Sequence, residues 1–252
     1  YDGMLAGDDE LTGKVLASAD RLKVISKWGI GVDGIDHDTA ESEGIAVYNT
    51  PGAFADEVAD VVVGYTIMLT RQLHRVDGAV RDGDWFCPRG TSLRGKTFGV
   101  VGVGSIGSAV ARRASVLGMD VIGSDIEPLP EELVADTGIE QVEFDELFSE
   151  STVVSLNCAL TPETRESVGE AELNALGEEG YLVNTARGEL VDEPALVDAL
   201  QTGDIAGAAL DVFGTEPLPA DHPLTEIDNV VLGSHNAQNT TEAVTGVHER
   251  AV

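Results

Sequence analysis

Apolar and polar positions along the chain repeat with two alternating periods. Residues 97–101 form a short apolar run rich in β-formers. Residues 106–117 follow with Ile106, Val110, Ala114 and Leu117 at the spacing of one helix face. A second short strand is expected at 120–124. The strand series continues at 152–156, 181–185, 205–211 and 229–233, with a helix over 193–201 between two of them. Such alternation predicts βα units, and so an α/β fold whose parallel sheet is covered on both faces.

Upstream, 22–26 and 45–48 read as short strands flanking a helical 38–43. Between these and the first βα unit lies a long amphipathic stretch, 56–82. Val58, Val61, Val62, Tyr65, Leu69, Leu73, Val76 and Val80 mark its apolar stripe. As one continuous helix it would be about 40 Å long, enough to link two domains or to form a subunit contact.

The chain has 252 residues, 42% of them hydrophobic. It can bury a full core and needs neither disulfides nor a structural metal. No apolar run reaches the ~18–20 residues of a membrane span; the longest candidate is 61–69. Charge changes the picture most. Acidic side chains number 45 and basic ones 15, a net of −30. The acid is spread along the chain, and only Lys14, Lys23, Lys27 and Lys96 are lysines. That excludes nucleic-acid binding through a basic face. An evenly acidic, lysine-poor surface suits a cytoplasm at molar salt, where the Debye length falls to about 3 Å; a halophilic source is expected. Cys87 and Cys158 make no disulfide framework and fit reduced thiols in a cytoplasmic protein.

Two glycine patterns compete for a phosphate. Gly90 to Thr97 spells G-x-x-x-x-G-K-T. A phosphate-binding loop of that kind follows a strand and opens a helix, whereas here Thr97 opens a strand. Gly102, Gly104 and Gly107 spell G-x-G-x-x-G in the right setting, after a strand and at the start of a helix. The glycines would provide a tight turn, close approach to a pyrophosphate, and close helix packing. The next strand ends at Asp125, which can accept hydrogen bonds from both ribose hydroxyls and repels a 2′-phosphate. Glu127 adds negative charge. NAD is therefore expected as cofactor, ahead of NADP.

Ligands of α/β sheets bind at the carboxyl ends of strands. Of the five histidines, only His235 directly follows an apolar strand. Arg187 follows 181–185, and Glu216 comes shortly after the strand ending at Asp211. A cation, a proton donor and a carboxylate to tune that donor are what hydride transfer to a 2-keto acid requires.

Several long motifs now carry a resemblance. They are K-W-G-I-G-V-D-G-I-D from Lys27, N-T-P-G from Asn49, and the glycine turn with Asp125. Then come L-V-N-T-A-R-G-E-L-V-D from Leu182, G-A-A-L-D-V-F from Gly207, Glu216-Pro217, and His235-Asn236-Ala237. Together they resemble the D-isomer-specific 2-hydroxyacid dehydrogenases, the family of phosphoglycerate and glyoxylate/hydroxypyruvate enzymes. The resemblance implies two Rossmann-like domains with doubly wound parallel sheets. The NAD-binding domain, 53–234, would be inserted into a substrate domain made of 1–52 and 235–252, with that domain incomplete at both ends.

The resemblance also implies roles. Arg187 would bind the substrate carboxylate and polarise the keto oxygen, helped by backbone amides at Ile30 and Gly31. His235 would act as acid and base, with Glu216 stabilising its imidazolium. Ser105 and Ile106 would touch the pyrophosphate, Cys158, Thr185 and Ala186 would line the cofactor cleft, and Asp211 would contact the nicotinamide carboxamide. The product would be the D-hydroxy acid. A homodimer built on the cofactor domains is implied, with 56–82 and 85–94 near the contact. The chain departs from the family pattern at Ser234, where Pro is usual, at Asn157-Cys158-Ala159 in place of His-x-Pro, and at Asp60 in place of Glu. Glu216 argues against a formate-type enzyme, which carries Gln there. A dinucleotide-sensing, corepressor-like protein of the same fold is the alternative from another class.

Overall fold

The computed structural model describes residues 1–7 and 9–251. Two compact units emerge: residues 1–54 with 238–252, and residues 55–237. In chain order the first unit begins with β1 (Gly3–Ala6), α1 (Gly13–Ala17), β2 (Val24–Lys27), α2 (His37–Ser42) and β3 (Ala46–Tyr48). The second unit opens with α3 (Ala55–Arg71), α4 (Leu73–Arg81), β4 (Thr97–Val101), α5 (Ser105–Val116) and β5 (Asp120–Ser124). It continues through α6 (Glu131–Thr137), β6 (Glu140–Gln141), α7 (Phe144–Glu150), β7 (Val153–Leu156) and α8 (Glu170–Leu176). It ends with β8 (Tyr181–Asn184), α9 (Glu193–Thr202), β9 (Gly207–Leu210) and β10 (Val230–Leu232), and α10 (Thr241–Ala251) returns to the first unit.

The first unit is a parallel sheet in the order β1-β2-β3. Ala6, Leu11, Leu16, Ile25, Ile35, Ala40 and Ile45 form its core. Asp36 caps α2 by accepting the Thr39 N–H at 2.8 Å.

The second unit is a seven-stranded, all-parallel sheet in the order β10-β9-β8-β7-β4-β5-β6. Helices α3, α5 and α6 pack in one row and α7, α8 and α9 in another. Every residue of β7 and β9 is buried, which is why these strands read as unbroken apolar runs. Leu147, Phe148, Leu156, Leu173, Leu182, Leu190 and Leu196 fill the core beneath one row. This is the doubly wound arrangement, and its strand order reverses between β4 and β7.

The amphipathic stretch 56–82 is two helices, not one. Gln72 is left-handed at φ 52°, separating α3 from α4. The carbonyl of Thr70 accepts the Thr91 N–H at 2.8 Å, and the Gln72 N–H turns back to Leu69 O. Those bonds take up groups that a continuing helix would need, so the ladder stops at Arg71 although the apolar stripe runs on. Among the described residues, no helix is long and apolar enough to cross a membrane.

Candidate active site

Because the sheet is parallel, every loop after a strand leaves from one edge. Along that edge, β10-β9-β8-β7-β4-β5 are followed in turn by His235, Glu216, Arg187, Cys158, Gly102 and Asp125. Strands lie roughly 4.8 Å apart, so β5 and β8 are separated by about 14 Å. The edge thus presents Asp125 at one end, the glycine turn at the switch point, and the three candidate catalytic residues beyond it.

The glycine turn is packed backbone to backbone. Gly102 has φ +81°, and a Cβ on it would lie 2.6 Å from the Cys158 backbone nitrogen. A Cβ on Gly107 would overlap the Gly102 carbonyl oxygen. Gly104 differs: a Cβ there would meet nothing within 4 Å. Helix α5 starts at Ser105 with no side-chain cap, so the amides of its first turn and the positive end of its dipole face that open space. Asp125 is tied to the turn, its Oδ2 accepting the Val103 N–H at 2.6 Å and its Oδ1 the Glu127 N–H at 3.0 Å. The Thr185 hydroxyl is buried and finds no hydrogen-bond partner among the described residues. An uncapped helix start, room at Gly104 and an orphaned hydroxyl on the same edge fit a bound dinucleotide. Beside them, burial and then the charge of Asp125 push the Cys158 thiol up to about 11. The competing pattern at Gly90 to Thr97 leads into β4 and opens no helix.

Arg187 is held by its neighbours. Asn184, buried at the end of β8, donates from Nδ2 to the Arg187 carbonyl at 2.8 Å and accepts the Ala186 N–H at 3.0 Å. The guanidinium donates to the Ala186 carbonyl at 2.7 Å. Asn184 thus braces the backbone around Arg187, a contact that reading the strand as an apolar run overlooks. A polar residue closing such a run was its one signal.

His235 and Glu216 meet. His235 Nδ1 lies 2.8 Å from Glu216 Oε2, and the other oxygen, Oε1, accepts the Phe213 N–H at 3.0 Å. A carboxylate only accepts, so Nδ1 carries the proton of that bond. His235 is itself left-handed at φ 54°, and its N–H donates to the Asp211 carbonyl at 2.6 Å. Asp211 is buried. Its Oδ1 accepts from the Tyr65 hydroxyl at 3.1 Å and its Oδ2 from the Ala237 N–H at 2.8 Å. Tyr65, read from sequence only as part of a helix stripe, thus reaches a candidate cofactor contact.

The remaining histidines have other partners. His37 bonds the Val32 carbonyl, His74 the Asp228 carbonyl, and His222 pairs with Glu193 at 3.0 Å. His248 packs on Trp28 with ring centroids 5.7 Å apart. Ile30 and Gly31 belong to the first unit, just after β2. Their turn is braced by Asn49, whose Nδ2 donates to the Ile30 carbonyl at 2.7 Å, and by Thr50, bonded to the Gly29 carbonyl.

Comparison with known proteins agrees with this geometry. The family described as D-isomer specific 2-hydroxyacid dehydrogenase, NAD binding domain, matches residues 63–237. A glyoxylate reductase of Thermofilum pendens is 43% identical over 241 residues, 93% of this chain and 71% of that protein. The structure of D-lactate dehydrogenase from Aquifex aeolicus, complexed with NAD and lactic acid, superposes with a TM-score of 0.92 at 31% identity, covering 99% of this chain and 80% of that one. An NADPH-dependent glyoxylate/hydroxypyruvate reductase from Sinorhizobium meliloti, in complex with NADP and malonate, also gives 0.92, at 32% identity, covering 100% and 78%. The chain belongs to the D-isomer specific 2-hydroxyacid dehydrogenases, and the sheet edge just described lies in their NAD-binding domain.

Proposed function

We propose that the protein interconverts a small 2-keto acid and its D-2-hydroxy acid, with glyoxylate and hydroxypyruvate as the first substrates to try. The observation that carries this reading is the 2.8 Å contact between His235 and Glu216 on the strand edge that also bears Arg187. NADH, when bound, supplies the hydride. Arg187 binds the substrate carboxylate with its planar fork and polarises the keto oxygen; the amides of Ile30 and Gly31 are further carboxylate donors. Glu216 accepts the hydrogen bond from the His235 Nδ1–H, so His235 exchanges its other proton at Nε2. In reduction that proton goes to the substrate oxygen, and in oxidation His235 takes it back. Glu216 stabilises the imidazolium form that precedes the transfer.

The cofactor contacts follow the edge. Gly102 makes the tight turn, Gly104 lets the backbone approach the pyrophosphate, Gly107 lets the helix pack closely, and Ser105 and Ile106 touch the pyrophosphate. Asp125 binds the ribose hydroxyls and selects NAD over NADP. Cys158, Thr185 and Ala186 line the cleft, and Asp211 contacts the nicotinamide carboxamide. Residues 1–54 with 238–252 serve as the substrate domain and 55–237 as the cofactor domain. The protein works as a homodimer in a salt-rich cytoplasm.

The test is loss of absorbance at the reduced-nicotinamide band, with NADH and NADPH against a panel of 2-keto acids in concentrated KCl. Turnover with NADH that vanishes in Arg187→Ala supports the reading. Turnover confined to NADPH overturns the role of Asp125. Tight NADH binding without turnover on any keto acid overturns the enzyme reading itself.

A further inference from the structure

Tyr65 sits on α3, which packs on β8, β9 and β10. Its hydroxyl donates to Asp211 Oδ1 at 3.1 Å, while Asp211 Oδ2 accepts the Ala237 N–H at 2.8 Å. A buried carboxylate with a donor on each oxygen has a fixed plane. Burial, followed by the Asp211 charge, holds the Tyr65 hydroxyl above its ordinary range, so it remains a donor.

Gly233 makes this contact possible. A Cβ there would overlap both Asp211 Oδ1 and the Tyr65 hydroxyl. Gly233 also donates to the Leu210 carbonyl at 2.7 Å, and His235 to the Asp211 carbonyl at 2.6 Å. Residues 233–237 therefore touch the Tyr65–Asp211 pair and its strand at four points: the Gly233 α-carbon, the Gly233 amide, the His235 amide and the Ala237 amide. His235 stands in the middle of that segment.

We propose that Tyr65 is a positioning residue for hydride transfer, fixing the Asp211 carboxylate and, through it, the segment that aims His235, with Gly233 as the gap that admits its hydroxyl. The proposal rests on His235 being the acid–base residue. A tyrosine that merely fills space beside β9 would contribute to stability and leave the chemical step alone. The two roles separate in the kinetics, because a misaimed proton donor lowers kcat and a lost packing contact lowers only the unfolding temperature.

The full-length protein is assayed in concentrated KCl with glyoxylate and NADH as wild type, Tyr65→Phe, Gly233→Ala, the double variant and His235→Gln. Unfolding temperature and NADH affinity are measured alongside. Tyr65→Phe is expected to lower kcat about tenfold, the scale of one lost hydrogen bond to a carboxylate, with NADH affinity within about twofold. Gly233→Ala is expected to lower it further. Adding Tyr65→Phe to Gly233→Ala should then cost little more, since both remove the same contact. Unchanged kcat in Tyr65→Phe, or fully additive losses in the double variant, overturns the proposal. If Gly233→Ala fails to fold, Tyr65→Phe decides alone. Wild-type turnover in His235→Gln overturns the acid–base reading beneath it, whereas a dead His235→Gln beside an unaffected Tyr65→Phe overturns only the role of Tyr65.

Discussion

Gly188 rests its α-carbon directly on the Phe213 carbonyl, so closely that a Cβ on Gly188 would overlap it. The contact joins two loops of the candidate site. Gly188 follows Arg187, and the Phe213 N–H donates to Glu216. The register between Arg187, the proposed carboxylate-binding residue, and the Glu216–His235 pair is thus set by one missing side chain. Gly188→Ala must push the loops apart by the width of a methyl group. Displacements near 1 Å cost about 100-fold in rate when catalytic groups are misplaced. We expect kcat/KM for glyoxylate to fall by about that factor, with NADH affinity nearly unchanged. A variant with normal kcat/KM would show that the two loops are positioned independently.

Glu216→Gln tests the tautomer. The carboxylate accepts at Oε2 from His235 Nδ1 and at Oε1 from the Phe213 amide. An amide can keep only one acceptor oxygen, and its NH2 group facing Nδ1 would favour the opposite tautomer. The imidazolium also loses its charged neighbour. Loss of one charge-assisted bond corresponds to about 1.5–3 kcal/mol, or roughly 10–100-fold in kcat, with KM for the keto acid little changed. Steady-state kinetics read this directly, and an unaltered kcat would remove Glu216 from the mechanism.

Cys158 and Cys87 should differ in reactivity. Burial and the neighbouring Asp125 raise the Cys158 thiol to about 11, so near pH 8 about one molecule in a thousand carries the thiolate. Cys87 is exposed. Iodoacetamide near pH 8 should label Cys87 and leave Cys158 unmodified, as peptide mass mapping would show. Raising the pH toward 11 increases the thiolate fraction at Cys158, so its labelling should rise along that path. Fast labelling of Cys158 near neutrality would mean that the turn after β7 is open to solvent.

Much of this was legible in the sequence, for a physical reason. Strands buried on both faces are continuous apolar runs, so β4 and β7 to β9 stand out, the shorter apolar cores of β5 and β10 follow them, and the residues just beyond mark the sheet edge. The short, polar helices α6, α7 and α8 and the two-residue β6 carry too little periodicity to read. The break at Gln72 was invisible because its cause, the Thr91 amide on the Thr70 carbonyl, comes from a residue distant in sequence. Asn184 and Tyr65 were missed on similar grounds. Each looks like a member of an apolar element, and only the folded chain brings Asn184 under Arg187 and Tyr65 against Asp211.

Salt should act on this protein through its fold. The chain carries a net charge of −30. Among the described residues, ion pairs mostly involve an exposed partner: Arg113 binds Asp56 and Asp60, and Arg81 binds Asp77. Exposed pairs contribute little to stability, and added salt weakens them. Salt also screens the repulsion among 45 acidic groups against 15 basic ones. Repulsion involves far more charges than attraction does, so the net effect of salt is stabilising. The unfolding temperature should therefore rise between about 0.1 M and about 3 M KCl, as the Debye length falls from ~10 Å toward less than ~3 Å. Glyoxylate reduction should be lost in proportion to circular-dichroism signal on desalting, since in the proposed mechanism Arg187 attracts the anionic substrate locally. Sucrose at matched osmolality, which does not screen charge, should restore less of either. Rate lost while the fold stays intact would instead place the salt requirement in substrate binding.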